Sequence, residues 1–325
     1  MVDISIILYE EDKAEDVCIV HNSAFKSYIE EFGMLYGYQK LNPNDIQNWI
    51  KNPESLIWLA YVENEPVGYV HCSTEVKKKD NEFMVFYFVE TMVGRGQSKI
   101  AVIPSFRKKG IAKALIRHTI EYYKKIGAEI AIAYAYHDNE LATHLFTKLG
   151  FKHESFHYYD KYSKTEPHEV NTMVATFDLL KTLPKITLNS KANIRIIFKD
   201  DLPVIREIRV TARPDDDTTM EQVIDWYKEG WGEVTLVAEF EGKVVGCMEY
   251  NSDGVIGILG VLPQYRSKGI GTTLFYHILK TMKERGLPKA VADSEYLPWT
   301  EHARKMYKRF NFDLSRELWV WVKKL

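Results

Sequence analysis

The chain lacks almost every compositional bias that narrows function early. Of 325 residues only three are cysteine, Cys18, Cys72 and Cys247. Three scattered cysteines without metal-ligand spacing build neither a disulfide framework nor a zinc site, and they read as reduced core thiols in a cytosolic protein. Charge of one sign is missing as well. The 43 Lys and Arg stand against 45 Asp and Glu, for a formal net charge of −2, which leaves no electrostatic footprint for nucleic acid. No apolar run approaches the ~18 residues of a membrane span, and the acidic start is unlike a signal peptide. The expectation is a cytoplasmic protein with neither a nucleic-acid nor a membrane partner. Two phosphate-binding patterns are absent too, the G-x-G-x-x-G dinucleotide fingerprint and the G-x-x-x-x-G-K-[ST] loop.

What is present is an ordinary globular composition, 46% hydrophobic and 27% charged, long enough for roughly two domains of about 150 residues each. It also contains one pattern twice. Val261-Leu-Pro-Gln-Tyr-Arg266-Ser-Lys-Gly269-Ile-Gly271 repeats Val102-Ile-Pro-Ser-Phe-Arg107-Lys-Lys-Gly110-Ile-Ala112, which lies 159 residues earlier. Each copy leads from an apolar strand through a proline into a basic, glycine-punctuated turn, and then into an amphipathic helix. A strand, a tight turn and a helix start gather backbone N–H groups around one point, where the helix dipole favours a phosphate or pyrophosphate. Glycine lets the ligand approach the backbone, and Arg107 or Arg266 can add charge from the side.

The order of elements repeats around the turns. Ile4–Leu8 reads as a strand, residues 12–32 as helical, and Asn42-Pro43-Asn44 as the cap of a short helix ending near Ile50. Leu56–Val62 and Val67–Thr74 form a hairpin, and residues 83–92 continue as strand. A helix follows the turn to Ile126 and stops at Gly127; the strand Ile130–Tyr136 and the helix Asn139–Leu149 come next. The second half runs through a strand at Ile194–Phe198 and helices at Leu202–Ala212 and Met220–Glu229. Its hairpin turns at Glu241-Gly242-Lys243, and a further turn at residues 251–254 leads to the strand Val255–Leu262. A helix to Glu284, the strand Ala290–Ser294 and the helix Glu301–Phe310 complete it. Residues 181–193 show no clear period and read as a linker, so the domains are expected at 1–180 and 194–325. Even the last helices match: Asn139-Glu-Leu-Ala142 to Phe151 parallels Thr300-Glu-His-Ala303 to Phe312, with Gly150 and Asn311 as left-handed caps. A long repeat of this kind is a duplicated domain.

These residues resemble the GNAT superfamily of acetyl-CoA-dependent N-acyltransferases, and they do so twice. The turns are similar to its R/Q-x-x-G-x-G/A pyrophosphate loop, and the later helices to its N-x-x-A-x-x-L-Y-x-K-x-G-F segment. The resemblance covers nearly the whole chain. It implies an α/β (α+β) fold of two tandem domains, each a mixed, partly splayed β-sheet flanked by helices. It implies pantetheine pairing near Gly260, Val261 and Leu262, or Ala101, Val102 and Ile103. The diphosphate would then lie on Arg266, Ser267, Lys268, Gly269, Ile270, Gly271, Thr272 and Thr273, or on Arg107, Lys108, Lys109, Gly110, Ile111, Ala112 and Lys113. Acetyl-CoA is the implied co-substrate, with no metal.

The implied reaction is direct attack of a primary amine on the thioester, with backbone N–H groups stabilising the oxyanion. A phenol of reference pKa about 10 can return a proton to a thiolate of reference pKa about 8.5 when suitably placed. Tyr307 stands at the family's tyrosine position, where the first half has Phe146, which cannot donate. Conversely Asn139 matches the family's CoA-contacting asparagine, where the second half has Thr300. The broken symmetry makes the second domain the expected catalytic one, although a packed helix aromatic is the plainer reading of Tyr307. Glu249 is the candidate general base, with a solvent-facing strand glutamate as its alternative; Asp293 and Glu295 are similar candidates. The acidic triplet 215–217 could receive a cationic amine or simply cap a helix.

His153-Glu-Ser-Phe-His157 satisfies H-E-x-x-H, but that zinc pattern needs a helix. In a strand the two imidazoles start about 13 Å apart. Aromatics near possible acceptor sites include Trp226, Trp231, Tyr250, Tyr296 and Trp299, with Tyr28, Tyr36 and Tyr38 in the first half. The segment after Phe312 is shorter than its counterpart after Phe151, so the second domain either lacks a strand or completes its sheet against the first. The acceptor, a small-molecule amine or the amine of a peptide or protein, has no readable motif. A non-catalytic CoA-binding or CoA-sensing protein on the same duplicated frame is the alternative function.

Overall fold

In the computed structural model the described backbone covers residues 3–27, 29, 40–79, 81–88, 100–153, 172–212, 218–230, 234–251, 254–295 and 300–325. Contacts divide the chain into two compact units, Met1–Thr172 with Arg316–Leu325, and Met173–Ser315.

The first unit contains β1 (Ser5–Leu8), α1 (Ala14–Ala24), α2 (Pro43–Ile50), β2 (Ser55–Val62), β3 (Glu65–Lys79), β4 (Asn81–Phe88), β5 (Ile100–Val102), α3 (Ile111–Lys125), β6 (Ala128–Tyr136), α4 (Glu140–Lys148) and β7 (Lys152–His153). The second contains β8 (Thr172–Asp178), β9 (Asn193–Ile196), α5 (Leu202–Ala212), α6 (Met220–Lys228), β10 (Thr235–Phe240), β11 (Lys243–Tyr250), β12 (Ile256–Val261), α7 (Ile270–Glu284), β13 (Lys289–Glu295) and α8 (Glu301–Arg309). The last strand, β14 (Asp313–Lys324), carries the chain back into the first unit.

Local sequence accounts for most boundaries. Asn42 Oδ1 accepts from the Asn44 amide at 3.0 Å, and Asp45 Oδ2 accepts from the Asn42 amide at 2.8 Å, a reciprocal cap at the start of α2. Gly127 and Gly286 stop α3 and α7 with positive φ, and Gly150 (φ 80°) and Asn311 (φ 59°) take the left-handed conformation expected after α4 and α8. The β2–β3 and β10–β11 hairpins turn on Glu63-Asn64 and Glu241-Gly242, all at positive φ as tight two-residue turns demand. The helical stretch expected over residues 12–32 is interrupted rather than continuous, with Lys26, Ser27 and Ile29 helical again and the Ile29 amide on the Phe25 carbonyl at 2.8 Å. α1 ends at Ala24, and Phe25 leaves helical geometry while its amide bonds to the His21 carbonyl.

In the first unit the strands run β1-β2-β3-β4-β6-β14, with β5 beside β3 and β7 beside β14. All these pairs are antiparallel except β4–β6. Side chains alternate between two faces. Val67, Val70 and Cys72 pack against α3 residues such as Ile111 and Leu115, whereas Tyr69 and Ala101 face α1 residues Val17 and Val20 and α2 residue Ile46. The second unit repeats the arrangement with an antiparallel β12-β11-β10-β9 sheet, its β11 residue Cys247 among Ile205 and Ile208 of α5. All three cysteines are buried and free. Among the described residues no helix is long and apolar enough to cross a membrane.

Candidate active site

The two glycine turns have nearly the same backbone. A short 3-10 turn, Pro104–Phe106 or Pro263–Tyr265, is followed by an extended arginine (Arg107 ψ 158°, Arg266 ψ 163°). Lys108 and Ser267 then take φ 62° each, and Gly110 and Gly269 take φ 89° and 77°. A non-glycine side chain at positive φ costs of order 1 kcal/mol, so its recurrence in both copies marks a shape held by its surroundings. Helices begin at the next residue. Their first backbone bonds run from Ala114 to Gly110 (2.9 Å) and from Thr273 to Gly269 (3.0 Å), and no side chain caps either start. The amides of Ile111, Ala112 and Lys113, and of Ile270, Gly271 and Thr272, therefore lack an intrahelical acceptor, which fits a diphosphate.

The arginines do something different from adding charge at the side. Arg266 donates through Nε to the Val261 carbonyl (2.9 Å) and through Nη2 to the Thr211 carbonyl (3.2 Å). Arg107 does the same to Val102 (3.2 Å) and Ala24 (2.8 Å). Each guanidinium thus ties the end of the preceding strand to the last turn of α1 or α5, where carbonyls have no helical donor.

The strands entering the turns separate from the next parallel strand. β12 stays on β11, with Val261 opposite Gly246, and meets β13 at a parallel bridge between Val255 and Val291. β5 stays on β3, whereas β6 pairs with β4 and β14. Gly260, Val261 and Leu262, like Ala101, Val102 and Ile103, therefore lie at the diverging end. The Leu262 and Ile103 amides bond back to Val245 (2.9 Å) and Val67 (3.0 Å).

Tyr307 is buried on α8, its ring 5.8 Å from that of Phe275 and 5.6 Å from that of Phe312. Phe146 holds the matching place on α4, 5.4 Å from Phe151. The same helix α8 reaches the start of α7. Arg309 Nη1 lies 3.3 Å from Thr272 Oγ1, and the Met306 methyl would lie 4.0 Å from a Cβ on Gly271. Asn139 is an N-cap, accepting from the Ala142 amide at 3.1 Å; Thr300 instead takes a 2.7 Å bond from Arg304.

Glu249 is not a solvent-facing glutamate. Its Oε1 pairs with Arg209 Nη1 at 2.7 Å and accepts from the Ile258 amide at 3.2 Å, and both side chains are largely buried. The Arg209 guanidinium lies over Trp226, 5.2 Å from its centroid. Gly257 makes room, since a Cβ there would fall 2.6 Å from Glu249 Oε1. Arg209 carries no motif, and no local signal in the sequence marks it. In the first unit β3 presents Tyr69 and His71 on the corresponding face. Tyr69 Oη lies 2.8 Å from His21 Nδ1, and His71 stacks on Trp49 at 5.0 Å.

Residues 215–217, 154–157, Tyr28, Tyr36, Tyr38, Trp231, Tyr296 and Trp299 lie outside the described residues, as do the side chains of Asp293 and Glu295. His153 lies in strand β7 and stacks on Trp319 at 4.2 Å. Among the described residues no cluster of His, Cys, Asp and Glu could hold a metal ion.

A duplicated mixed sheet, each copy with a splayed strand, a strained glycine turn and an uncapped helix start, defines a class of α/β proteins. The family model for the acetyltransferase (GNAT) family matches residues 21–151 and again 201–312, and the chain belongs to that family. An uncharacterized N-acetyltransferase of Methanocaldococcus jannaschii is 29% identical over 133 residues, 39% of this chain and 53% of that protein. The chain thus spans about half the length of this curated relative. The fold is shared with a GCN5-related N-acetyltransferase from Sphaerobacter thermophilus (TM-score 0.65, 15% identity, 99% of this chain and 95% of that one). It is shared also with a tandem GNAT protein from the clavulanic acid biosynthesis pathway (TM-score 0.63, 12% identity, 99% and 98%).

Proposed function

We propose that the second unit moves an acetyl group from acetyl-CoA to a primary amine by direct attack in a ternary complex, with Tyr307 as general acid. The observation that carries this reading is the meeting of α8 with the start of α7. Arg309 and Met306, which flank Tyr307 in sequence, reach Thr272 and Gly271 of the glycine turn. The phenol is therefore on the helix that borders the diphosphate-binding amides.

Acetyl-CoA supplies an activated thioester; the residues of the chain hold it and move protons. The amides of Ile270, Gly271 and Thr272 receive the diphosphate, and the diverging end of β12 receives pantetheine through Gly260, Val261 and Leu262. As the amine nitrogen bonds to the thioester carbonyl carbon, it must lose a proton, and Glu249 is the acceptor in this reading. That proton comes at the expense of the Arg209 ion pair, and Glu249→Gln, which keeps an acceptor for the Ile258 amide, removes the proton acceptor and the ion pair together. When the C–S bond breaks, the Tyr307 hydroxyl gives its proton to the departing sulfur.

The first unit has the same turn but Phe146 in place of the phenol, which favours coenzyme binding or scaffolding there. The acceptor is a small-molecule amine or an amine of a peptide or protein. Tyr307→Phe is expected to lower acetyl-CoA turnover about a hundredfold or more against a responsive amine, with CoA affinity within about twofold of wild type. Full turnover in that variant would remove Tyr307 from the mechanism. CoA binding without thioester loss across an amine panel would favour a sensing protein instead.

A further inference from the structure

Residues 181–193 form no helix and read in sequence as a plain connection, yet they are held at both ends of α7. At its C-terminal end Lys283 Nζ donates to the carbonyls of Leu179, Leu180 and Lys181 at 2.6, 3.4 and 2.7 Å. Between the ends, Leu183 and Ile186 pack against the core that contains Leu274, Ile278 and Met282. At the N-terminal end stands Asn189. Its amide donates to Thr273 Oγ1 (2.9 Å), its Nδ2 donates to the Lys268 carbonyl (2.7 Å), and its Oδ1 accepts from the Lys191 amide (2.9 Å). Fifteen helical residues span about 22 Å, close to the ~26 Å that eight nearly extended residues cover. The segment is therefore a strap laid along α7, ending on the glycine turn.

The contact made there has a defined consequence. In a trans peptide the C=O and N–H point in opposite directions. Holding the Lys268 carbonyl toward Asn189 therefore turns the Gly269 N–H the other way. Thr273 Oγ1, held by the Asn189 amide, donates in turn to the Gly269 carbonyl at 3.0 Å. Two successive peptide planes of the turn are thus set by one strap residue. In the first unit a Cβ on Gly110 would meet nothing within 4 Å among the described residues, whereas one on Gly269 would meet Asn189 Cβ at 3.8 Å.

We propose that Asn189 is a positioning residue for the coenzyme turn of the second unit, ordering its amides before the ligand arrives. The proposal rests on the reading of that turn as a CoA site. Pre-setting the donors removes part of the ordering cost of binding, so its loss appears in coenzyme affinity.

The test uses the full chain and calorimetric titration with CoA, the second-unit site being the one abolished by Gly271→Glu. Asn189→Ala should raise its Kd about three- to tenfold, the worth of one or two hydrogen bonds, with Tm within about 2 °C of wild type. Lys283→Ala, which releases the far end of the strap, should change Kd less than about twofold. An unchanged Kd in Asn189→Ala, or an equal loss in both variants, overturns the proposal. Hydrogen exchange of residues 263–275 in the free protein gives an arm that needs no coenzyme. Asn189→Ala should speed exchange there and leave residues 104–116 unchanged; no acceleration overturns the proposal. Acceleration without any CoA binding would refute the coenzyme reading of the turn and leave its ordering by Asn189 standing.

Discussion

At the scale of single residues, paired charges show most clearly what the tertiary structure adds. Arg195 forms a fork on Asp201, Nη1 to Oδ2 at 2.7 Å and Nη2 to Oδ1 at 3.0 Å, while its Nε reaches Glu239 at 2.8 Å. Burial works to raise the Asp201 pKa, but the bonds from Arg195 and the Phe198 amide outweigh it and hold the carboxyl below its ordinary value. Glu239 is lowered by Asn193 and Arg195. Both carboxyls thus have folded values below their unfolded ones. Their contribution is complete above the unfolded carboxylate range, near pH 4 to 5, and is lost as pH falls through the folded values. Arg195→Ala should cost about 2 kcal/mol at pH 7. It should also flatten the decline in stability below pH 5, read as urea midpoints taken from pH 7 to pH 3. None of this pairing was legible in the sequence, where Arg195 is one basic residue among 43. The same holds for Arg209 and Glu249. A strand glutamate could be singled out as interesting, but its partner comes from a helix 40 residues away.

At the scale of elements, the glycine turns were legible because their requirements are local. Positive φ at Gly110 and Gly269, a proline before each turn and an amphipathic helix after it all lie within a few residues. Helix-on-sheet spacing is a different matter. A Cβ added to Gly260 would fall 2.3 Å from Ile208 Cγ2 and 3.1 Å from the Ile208 carbonyl, so α5 lies hard against β12. The matching residue of the first unit is Ala101, itself buried. Gly260→Ala should therefore force a backbone shift and cost about 1–3 kcal/mol in chemical denaturation. A loss below about 0.5 kcal/mol would show that α5 can retreat freely. The sequence repeat aligns Ala101 with Gly260 and gives no warning that the two tolerate different side chains.

At the scale of the whole molecule, β14 is the decisive element. It runs antiparallel to β6, with Leu318 opposite Tyr136 and Lys324 opposite Ile130, and Leu318, Val320, Trp321 and Val322 are buried. Trp321 packs with Phe146 in the core of the first unit, 6.1 Å between centroids. Deleting residues 316–325 should therefore unfold or strongly loosen the first unit while the second keeps its protease resistance; limited proteolysis with mass mapping reads this directly. Equal protection of both units after the deletion would contradict it. The short C-terminal segment raised the choice between a second domain that lacks a strand and one that completes its sheet against the first; long-range pairing instead puts the end of β14 on β6 in the first unit. By itself, the sequence determined the duplication, the element order, the two glycine turns and the substitution of Phe146 for Tyr307. Each of these is written in side-chain periodicity and backbone preference over a few residues. Tertiary structure alone decided that the arginines of both turns tie carbonyls, that Glu249 is bound to Arg209, that the linker is a strap on α7, and that the last strand belongs to the first unit. These depend on which polar groups meet once distant segments pack, and no local propensity encodes that meeting.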